Sequence, residues 1–264
     1  MINPESIVNL RRYPITDFLS PLSQSIREEC RKQFLVNGLC ALPQFISPDI
    51  QNDLTAEVNS LINEAYFCDS THNVYLTNPS SSEKQDKLSF HQEQTFVGSV
   101  AYDRIDRGGL LETLYLWDPL KDFLGFILGK SPLFRFADPL GACSINVFVE
   151  GGQHGWHFDE SEFSITLMLQ KPRLGGQFEY IPMIRGLADE KEIIKRALQG
   201  DRRDVKTLVF DPGTLLVFAG QKTIHRVTEV GGTIPRLVPV LCYADRPDLV
   251  NSEAVRTLFW GRST

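Results

Sequence analysis

The chain has 264 residues, of which 42% are hydrophobic and 23% are charged, so it can bury a substantial core, and we expect one domain over residues 1–264. Its net charge of −6 argues against nucleic acid as the main partner, and no apolar run has the length of a signal peptide or a membrane span. Five cysteines without C-x-x-C spacing indicate neither a disulfide framework nor a zinc ribbon. We expect a cytoplasmic protein, a monomer or a homo-oligomer, whose partner is a small molecule.

The first part of the chain, about residues 1–130, favours helices. A helix is predicted from near residue 22 to 39, with its end around Gly38. Ser47 and Pro48 have the chemistry of an N-cap and a first helical residue, and apolar residues then recur on one face. A further helical region is predicted over residues 110–128, with a break at Pro119.

The segment from residue 78 to 94 is polar and contains three consecutive serines, so it predicts a mobile loop. Such a loop could act as a lid, or it could simply connect two elements. Within it, His91 and Glu93 have a spacing that would let both reach one ion. Because an isolated exposed histidine is the usual case, we do not interpret this pair as a metal site.

Strand patterns dominate from Cys143 onward. Apolar and polar residues alternate over residues 143–149 and again over 163–170, as expected for strands with two different faces. A charged helix is predicted from Asp189 to Leu198. These patterns predict a β-rich α+β fold whose strands, over about residues 131–264, form a barrel or jelly roll.

Three residues in this strand-rich part form a candidate metal site. In extended chain, residues i and i+2 point to the same side, so His157 and Asp159 can contact one ion. His225 lies far along the chain, and a later strand could fold back beside the first. Two imidazoles and one carboxylate on one face are typical of a non-haem iron(II) site with open coordination positions.

Arg236 is the fourth candidate. The Gly231-Gly232 pair predicts a hairpin turn in which position 236 opposes Val227, on the same face as His225. Arg236 would then point into the cavity of His225. A guanidinium there can grip a carboxylate by two parallel hydrogen bonds.

The segments around these four residues resemble the closing half of the 2-oxoglutarate dioxygenase superfamily. The resemblance covers residues 155–159, 163–170 and 175–180, and then 211–220, 225–227 and 236–243. It implies a double-stranded β-helix (a cupin-like jelly roll) flanked by N-terminal helices. It also implies iron(II) bound by His157, Asp159 and His225, 2-oxoglutarate anchored by Arg236, and dioxygen as the oxidant.

A narrower resemblance concerns residues 101–120, 137–141 and 258–262. They look like a branch of hydroxylases and radical halogenases that act on free or N-acylated amino acids. This resemblance implies that His154 and Trp260 bind the amino acid end of the substrate. Halogenating relatives carry glycine where this chain has Asp159, which implies hydroxylation. Lysine-acting relatives carry polar residues near Val240 and Cys242, which argues against lysine as the substrate.

Two further residues are candidates from their chemistry alone. Asn146 could hydrogen-bond 2-oxoglutarate from a neighbouring strand, and Glu160 could meet a substrate ammonium group. A polar outward strand face and a solvated charge explain these two residues equally well. Likewise, Trp260 could be a packing residue and His154 a solvent-facing group.

Three functions are consistent with the sequence. The favoured one is an iron(II)- and 2-oxoglutarate-dependent hydroxylase of an unactivated carbon in a small amino acid or derivative, with release of succinate and carbon dioxide. The second has the same site but a protein or peptide substrate. The third is a barrel that binds metal or ligand without turnover, which the loss of a metal ligand would have indicated.

Overall fold

The structure is a computed structural model that describes residues 2–76 and 87–264. Within these ranges the helices are α1 (Pro21–Asn37), α2 (Pro48–Ser60), α3 (Lys87–Phe90), α4 (Leu110–Tyr115), α5 (Asp118–Leu128), α6 (Glu190–Leu198) and α7 (Glu253–Trp260). The strands are β1 (Leu39–Leu42), β2 (Tyr66–His72), β3 (Glu93–Val100), β4 (Phe134–Arg135), β5 (Cys143–Phe148), β6 (Gln153–His157), β7 (Ser164–Leu167), β8 (Leu174–Gly175), β9 (Phe178–Ile181), β10 (Lys206–Thr207), β11 (Leu215–Phe218), β12 (Ile224–Val227), β13 (Val230–Gly231), β14 (Arg236–Leu241) and β15 (Tyr243–Ala244).

The predicted helices are confirmed. They could be predicted because the signals that begin and end a helix act within a few residues. Helix α1 ends at Gly38, which adopts the left-handed conformation expected of a C-cap. Helix α2 has Pro48 in its first turn, although the Ser47 side chain makes no capping hydrogen bond. The region over 110–128 is divided into α4 and α5, with Pro119 in the first turn of α5.

The principal sheet is antiparallel and curls into a half-barrel, as predicted for a double-stranded β-helix. Its strands lie in the order β1-β11-β7-β14-β5-β3-β6-β12-β9-β10, and β2 also pairs with β3. Neighbours in the sheet are mostly distant in sequence, so each strand depends on long-range partners. The order brings β6 and β12 side by side, with His225 opposite His157.

The strands are not confined to the C-terminal half of the chain. β1 pairs with β11, and β3 pairs with both β5 and β6, so the part predicted to be helical supplies strands to the sheet. The predicted mobile loop over residues 78–94 also differs, because residues 87–90 form α3 and Glu93 begins β3. The rest of that loop, residues 77–86, lies outside the described residues.

The predicted hairpin at Gly231-Gly232 is wrong. β12 pairs with β6 and β9, whereas β14 pairs with β5 and places Arg236 opposite Phe148. The short strand β13 lies between them and pairs with β8. The glycines therefore belong to a crossing connection between the two parts of the sheet, which local turn chemistry cannot distinguish from a hairpin.

Alternation along β5 directs its side chains into two different hydrophobic clusters of the core. In β5, Ile145 and Val147 are fully buried against the cluster that includes α2, α4 and α5, and burial stabilises each by roughly 1.5–3 kcal/mol. Phe148 points the other way, into a second cluster with Phe178 and Phe218 inside the curled sheet. This inner face is where the candidate site lies. None of the helices in the described part of the chain has the length and apolarity needed to cross a bilayer.

Candidate metal centre and active-site cavity

The structure brings His157, Asp159 and His225 together at one point of the inner face. His157 ends β6 and His225 lies in the adjacent β12, while Asp159 follows β6 by two residues. Asp159 Oδ1 is 3.5 Å from His157 Nε2 and 3.5 Å from His225 Nε2. One donor atom from each residue lies within 4.8 Å of the other two. The strand register therefore assembles a set of donors that one metal ion could contact.

Hydrogen bonds fix the direction of each donor. Nδ1 of His157 donates to the Gly155 carbonyl at 2.7 Å, and Nδ1 of His225 donates to the Thr223 carbonyl at 2.9 Å. Because a carbonyl only accepts, each imidazole carries a proton on Nδ1, and its Nε2 faces Asp159 Oδ1. Partners of this kind orient metal-binding histidines and increase their basicity.

Asp159 is held in a similar way. The Ser164 hydroxyl donates to Oδ2 at 2.6 Å, which leaves Oδ1 directed at the two imidazoles. The backbone N–H of Asp159 donates to the Gly220 carbonyl at 3.1 Å. A Cβ at Gly220 would collide with the carboxylate, so the close approach of this loop requires glycine.

The electrostatics give these groups the protonation states that a metal requires. Burial, reinforced by His225, lowers the pKa of His157 to about 4. Burial by itself would raise the pKa of Asp159, but the imidazoles of His225 and His157 more than offset it and hold this pKa well below its usual range. At neutral pH the site therefore contains a neutral His157 and an ionised Asp159, which fits a divalent cation.

The three residues line a cavity of about 220 Å³, which also contains Arg236. Arg236 is 2% exposed, and its Nε has no hydrogen-bond partner within the described part of the chain. Its guanidinium carbon lies 5.2 Å from the ring centre of Phe148 and 5.8 Å from that of Phe210. Burial lowers the pKa of Arg236 to about 9, so it is a cation at neutral pH. A buried cation is costly without a counter-charge, and this position fits an anionic ligand.

The remaining candidates separate into two groups. Asn146, His154 and Trp260 line the same cavity. Glu160 does not: it is exposed, and its backbone carbonyl accepts from the side chain of Gln221 at 3.1 Å. Glu160 thus lies outside the cavity lining, and its contact with a substrate ammonium group stays a prediction.

Val240 and Cys242, the positions that argued against lysine, also line the cavity. Trp260 is 9% exposed, and its Nε1 has no hydrogen-bond partner among the described residues. The indole N–H is thus a hydrogen-bond donor that none of the described residues accepts, and Trp260 lines the cavity. Such a donor is available to a ligand.

A sequence profile described as HalD, Halogenase D, matches residues 22–258 of the chain. The chain belongs to the Halogenase D family. This match confirms the predicted resemblance to a branch that contains halogenases. No curated protein matches the sequence.

Solved structures of the 2-oxoglutarate and iron(II) oxygenases have the same fold as this Halogenase D family chain. An oxidoreductase of that family from Burkholderia pseudomallei is 17% identical, with 84% of this chain and 92% of that chain covered and a TM-score of 0.52. The epimerase SnoN of nogalamycin biosynthesis is 13% identical over 84% and 83% of the two chains, with a TM-score of 0.59. EctD from S. alaskensis, crystallised with 2-oxoglutarate and 5-hydroxyectoine, is 17% identical over 81% and 74%, with a TM-score of 0.54.

Sequence reasoning missed several residues in or beside the cavity of this Halogenase D family chain. His72, at the end of β2, contacts the rings of His154 and His157 edge-on at centroid distances of 5.4 and 5.7 Å. Helix α7 contributes Val255 and Phe259, and Asn251 precedes it. The apolar spacing of Val255 and Phe259, four residues apart, was an available helix signal. No local sequence signal distinguished His72, because its position beside His154 and His157 depends on how β2 pairs with β3.

Proposed function

We propose that the chain is an iron(II)- and 2-oxoglutarate-dependent oxygenase that hydroxylates an unactivated carbon of a small amino acid or an amino acid derivative, with release of succinate and carbon dioxide. One observation carries the proposal. One ligand atom from each of His157, Asp159 and His225 lies within 4.8 Å of the other two, in a cavity that also contains the buried Arg236, whose Nε has no hydrogen-bond partner among the described residues. A cation site and an anion site in one cavity fit a metal and a dicarboxylate together.

The residues have distinct roles in this proposal. His157, Asp159 and His225 would hold iron(II) by one face, and Arg236 would bind the far carboxylate of 2-oxoglutarate, with Asn146 as a further polar contact. When bound, iron(II) and 2-oxoglutarate activate dioxygen for attack on a carbon–hydrogen bond. Phe148, Phe178 and Phe210 line the same cavity and give it apolar walls near Arg236.

Hydroxylation is favoured over halogenation by Asp159. The family is described as a halogenase family, and a halide would need the coordination position that this carboxylate fills. Oδ1 lies 3.5 Å from each histidine Nε2, and Ser164 holds the other oxygen at 2.6 Å. Because the carboxylate is oriented and ionised, it competes directly with halide for the metal.

The substrate is proposed to be small and largely apolar away from its amino acid end. The cavity of about 220 Å³ is lined by Val240, Cys242, Val255 and Phe259. His154 and Trp260 offer ring nitrogens to the amino acid end. A protein or peptide residue is the alternative substrate, and a barrel without turnover is the third possibility.

The decisive experiment is anaerobic addition of iron(II) and then 2-oxoglutarate, followed in the visible region. We expect a charge-transfer band, which folded protein without the band would contradict. Oxygen is then admitted with chloride present, and succinate is measured across free amino acids, N-acyl amino acids and peptides. An added oxygen atom in a small product supports the proposal, and chlorine in place of hydrogen overturns hydroxylation. Reaction of peptides alone selects the second substrate class, and no succinate from any substrate selects the third possibility.

A further inference from the structure

Glu93 connects strand β6, which ends in His157, to the neighbouring strand β3. It is the first residue of β3, and its Oε2 accepts the backbone N–H of Trp156 at 3.0 Å. Its other carboxylate oxygen lies 2.8 Å from Nε2 of His91. The side chain is 17% exposed, so the carboxylate is mostly shielded from water. The Glu93 carboxylate therefore bridges His91 and the backbone of the strand that carries His157.

The hydrogen bond to Trp156 acts on the peptide group that supports His157. This peptide joins Gly155 to Trp156: its N–H donates to Glu93, and its carbonyl accepts from His157 Nδ1 at 2.7 Å. A peptide group is planar, so fixing the direction of the N–H also fixes the direction of the carbonyl. A carboxylate on the N–H also polarises the peptide and makes its carbonyl a stronger acceptor.

Two features show that this contact is built into the fold. A Cβ on Gly155 would lie 2.5 Å from Glu93 Cβ and 2.9 Å from Glu93 Oε2, so the carboxylate can approach only because residue 155 is glycine. The backbone pairing of β3 with β6 ends at Thr95 and His154. Beyond that pair, the N–H of Trp156 donates to the side chain of Glu93 and not to a backbone carbonyl of β3. The next N–H on this edge, that of Phe158, donates to the Val74 carbonyl at 2.8 Å.

We propose that Glu93 is a positioning residue for the metal centre, which it serves by holding the Gly155–Trp156 peptide so that His157 presents Nε2 to the metal. This inference rests on the proposed function, since it assigns Glu93 a role toward the same ion. His91 holds the other oxygen of Glu93 and so keeps the carboxylate over Trp156.

The test is metal binding by the full chain, measured by anaerobic titration with iron(II) in the presence of 2-oxoglutarate. Glu93→Met keeps the length of the side chain but has no oxygen acceptor, and we expect about tenfold weaker iron binding. Glu93→Gln retains an acceptor oxygen, and we expect it to restore most of the affinity. Glu192→Ala, on the exposed face of α6, is the matched surface control and should bind iron like the wild type.

Two outcomes would overturn the role of Glu93: wild-type iron affinity in a folded Glu93→Met protein, or affinity in Glu93→Gln as low as in Glu93→Met. Circular dichroism checks folding, and if Glu93→Met does not fold, Glu93→Ala replaces it. His225→Ala separates this inference from the proposed function. Full iron binding by His225→Ala would reject the metal centre itself, whereas its loss, together with unaffected Glu93 variants, would reject only the positioning role.

Discussion

The imidazole rings of His154 and His157 stack, with centroids 3.7 Å apart and planes inclined by 17°. The contact joins a cavity-lining candidate for substrate binding to a candidate metal ligand. Burial, reinforced by the neighbouring His157, keeps the pKa of His154 well below the usual histidine value. His154 is therefore neutral and can offer hydrogen bonds but no charge. Its ring also limits the freedom of His157 to rotate.

His154→Phe should separate the two effects of this residue. Phenylalanine keeps an aromatic ring against His157 but removes both ring nitrogens. We expect iron(II) and 2-oxoglutarate to give the same charge-transfer band, while the KM for the amino acid substrate rises about tenfold, as for a lost hydrogen bond. An unchanged KM in the succinate assay would show that His154 only packs.

Arg236 should make the stability of the protein depend on 2-oxoglutarate. In its absence Arg236 is a buried cation whose Nε has no partner in residues 2–76 and 87–264, and a bound carboxylate would remove that penalty. We expect 2-oxoglutarate to raise the Tm of the wild type but not of Arg236→Met. Arg236→Lys keeps the charge without the paired donors, and should bind 2-oxoglutarate roughly tenfold more weakly. Equal thermal shifts in all three proteins would exclude this role.

Ser164 should support the metal through Asp159. Its hydroxyl donates to Asp159 Oδ2 at 2.6 Å. In Ser164→Ala this hydrogen bond is lost, and the Asp159 carboxylate would be free to rotate. We expect about tenfold weaker iron(II) binding in Ser164→Ala. Ser161→Ala, at an exposed position three residues earlier, is the control. Equal iron affinity in the two variants would rule out an orienting role for the hydroxyl.

Asp138 should anchor the C-terminal helix in a pH-dependent way. Oδ1 accepts the N–H groups of Leu140 and Gly141, while Oδ2 accepts the N–H of Asn251 and the guanidinium of Arg256. These bonds tie the loop before β5 to α7, which carries Trp260. Burial alone would raise the pKa of Asp138, but these donors lower it below the usual aspartate value.

A depressed folded-state pKa means that Asp138 stabilises the fold above the ordinary aspartate pKa of about 3.9. The contribution is lost as the pH falls through the lower, folded-state pKa. At pH 7 we expect Asp138→Asn to reduce the free energy of unfolding by roughly 3 kcal/mol, as for a broken buried ion pair. In denaturation curves the difference from the wild type should shrink at acidic pH. A difference that stays constant with pH would contradict this explanation.

Much of the site could be predicted because its signals are local. The His157 and Asp159 spacing depends only on the two-residue period of a strand, and the ends of α1 and α5 depend on Gly38 and Gly129. These properties follow from backbone geometry within one turn or one strand. The segments around the candidate ligands, taken together with the ligand spacing, indicated the family.

The partners of each strand were decided only by the tertiary structure. Arg236 lies in the cavity because β14 pairs with β5, and not through the predicted hairpin. Glu160 is exposed and lies outside the cavity lining, while Glu93, whose pair with His91 was not interpreted as a metal site, contacts the strand of His157. Strand order depends on the closure of the whole sheet and on contacts between residues far apart in sequence. Short-range periodicity is the same whichever strand lies alongside, so it cannot select the neighbour.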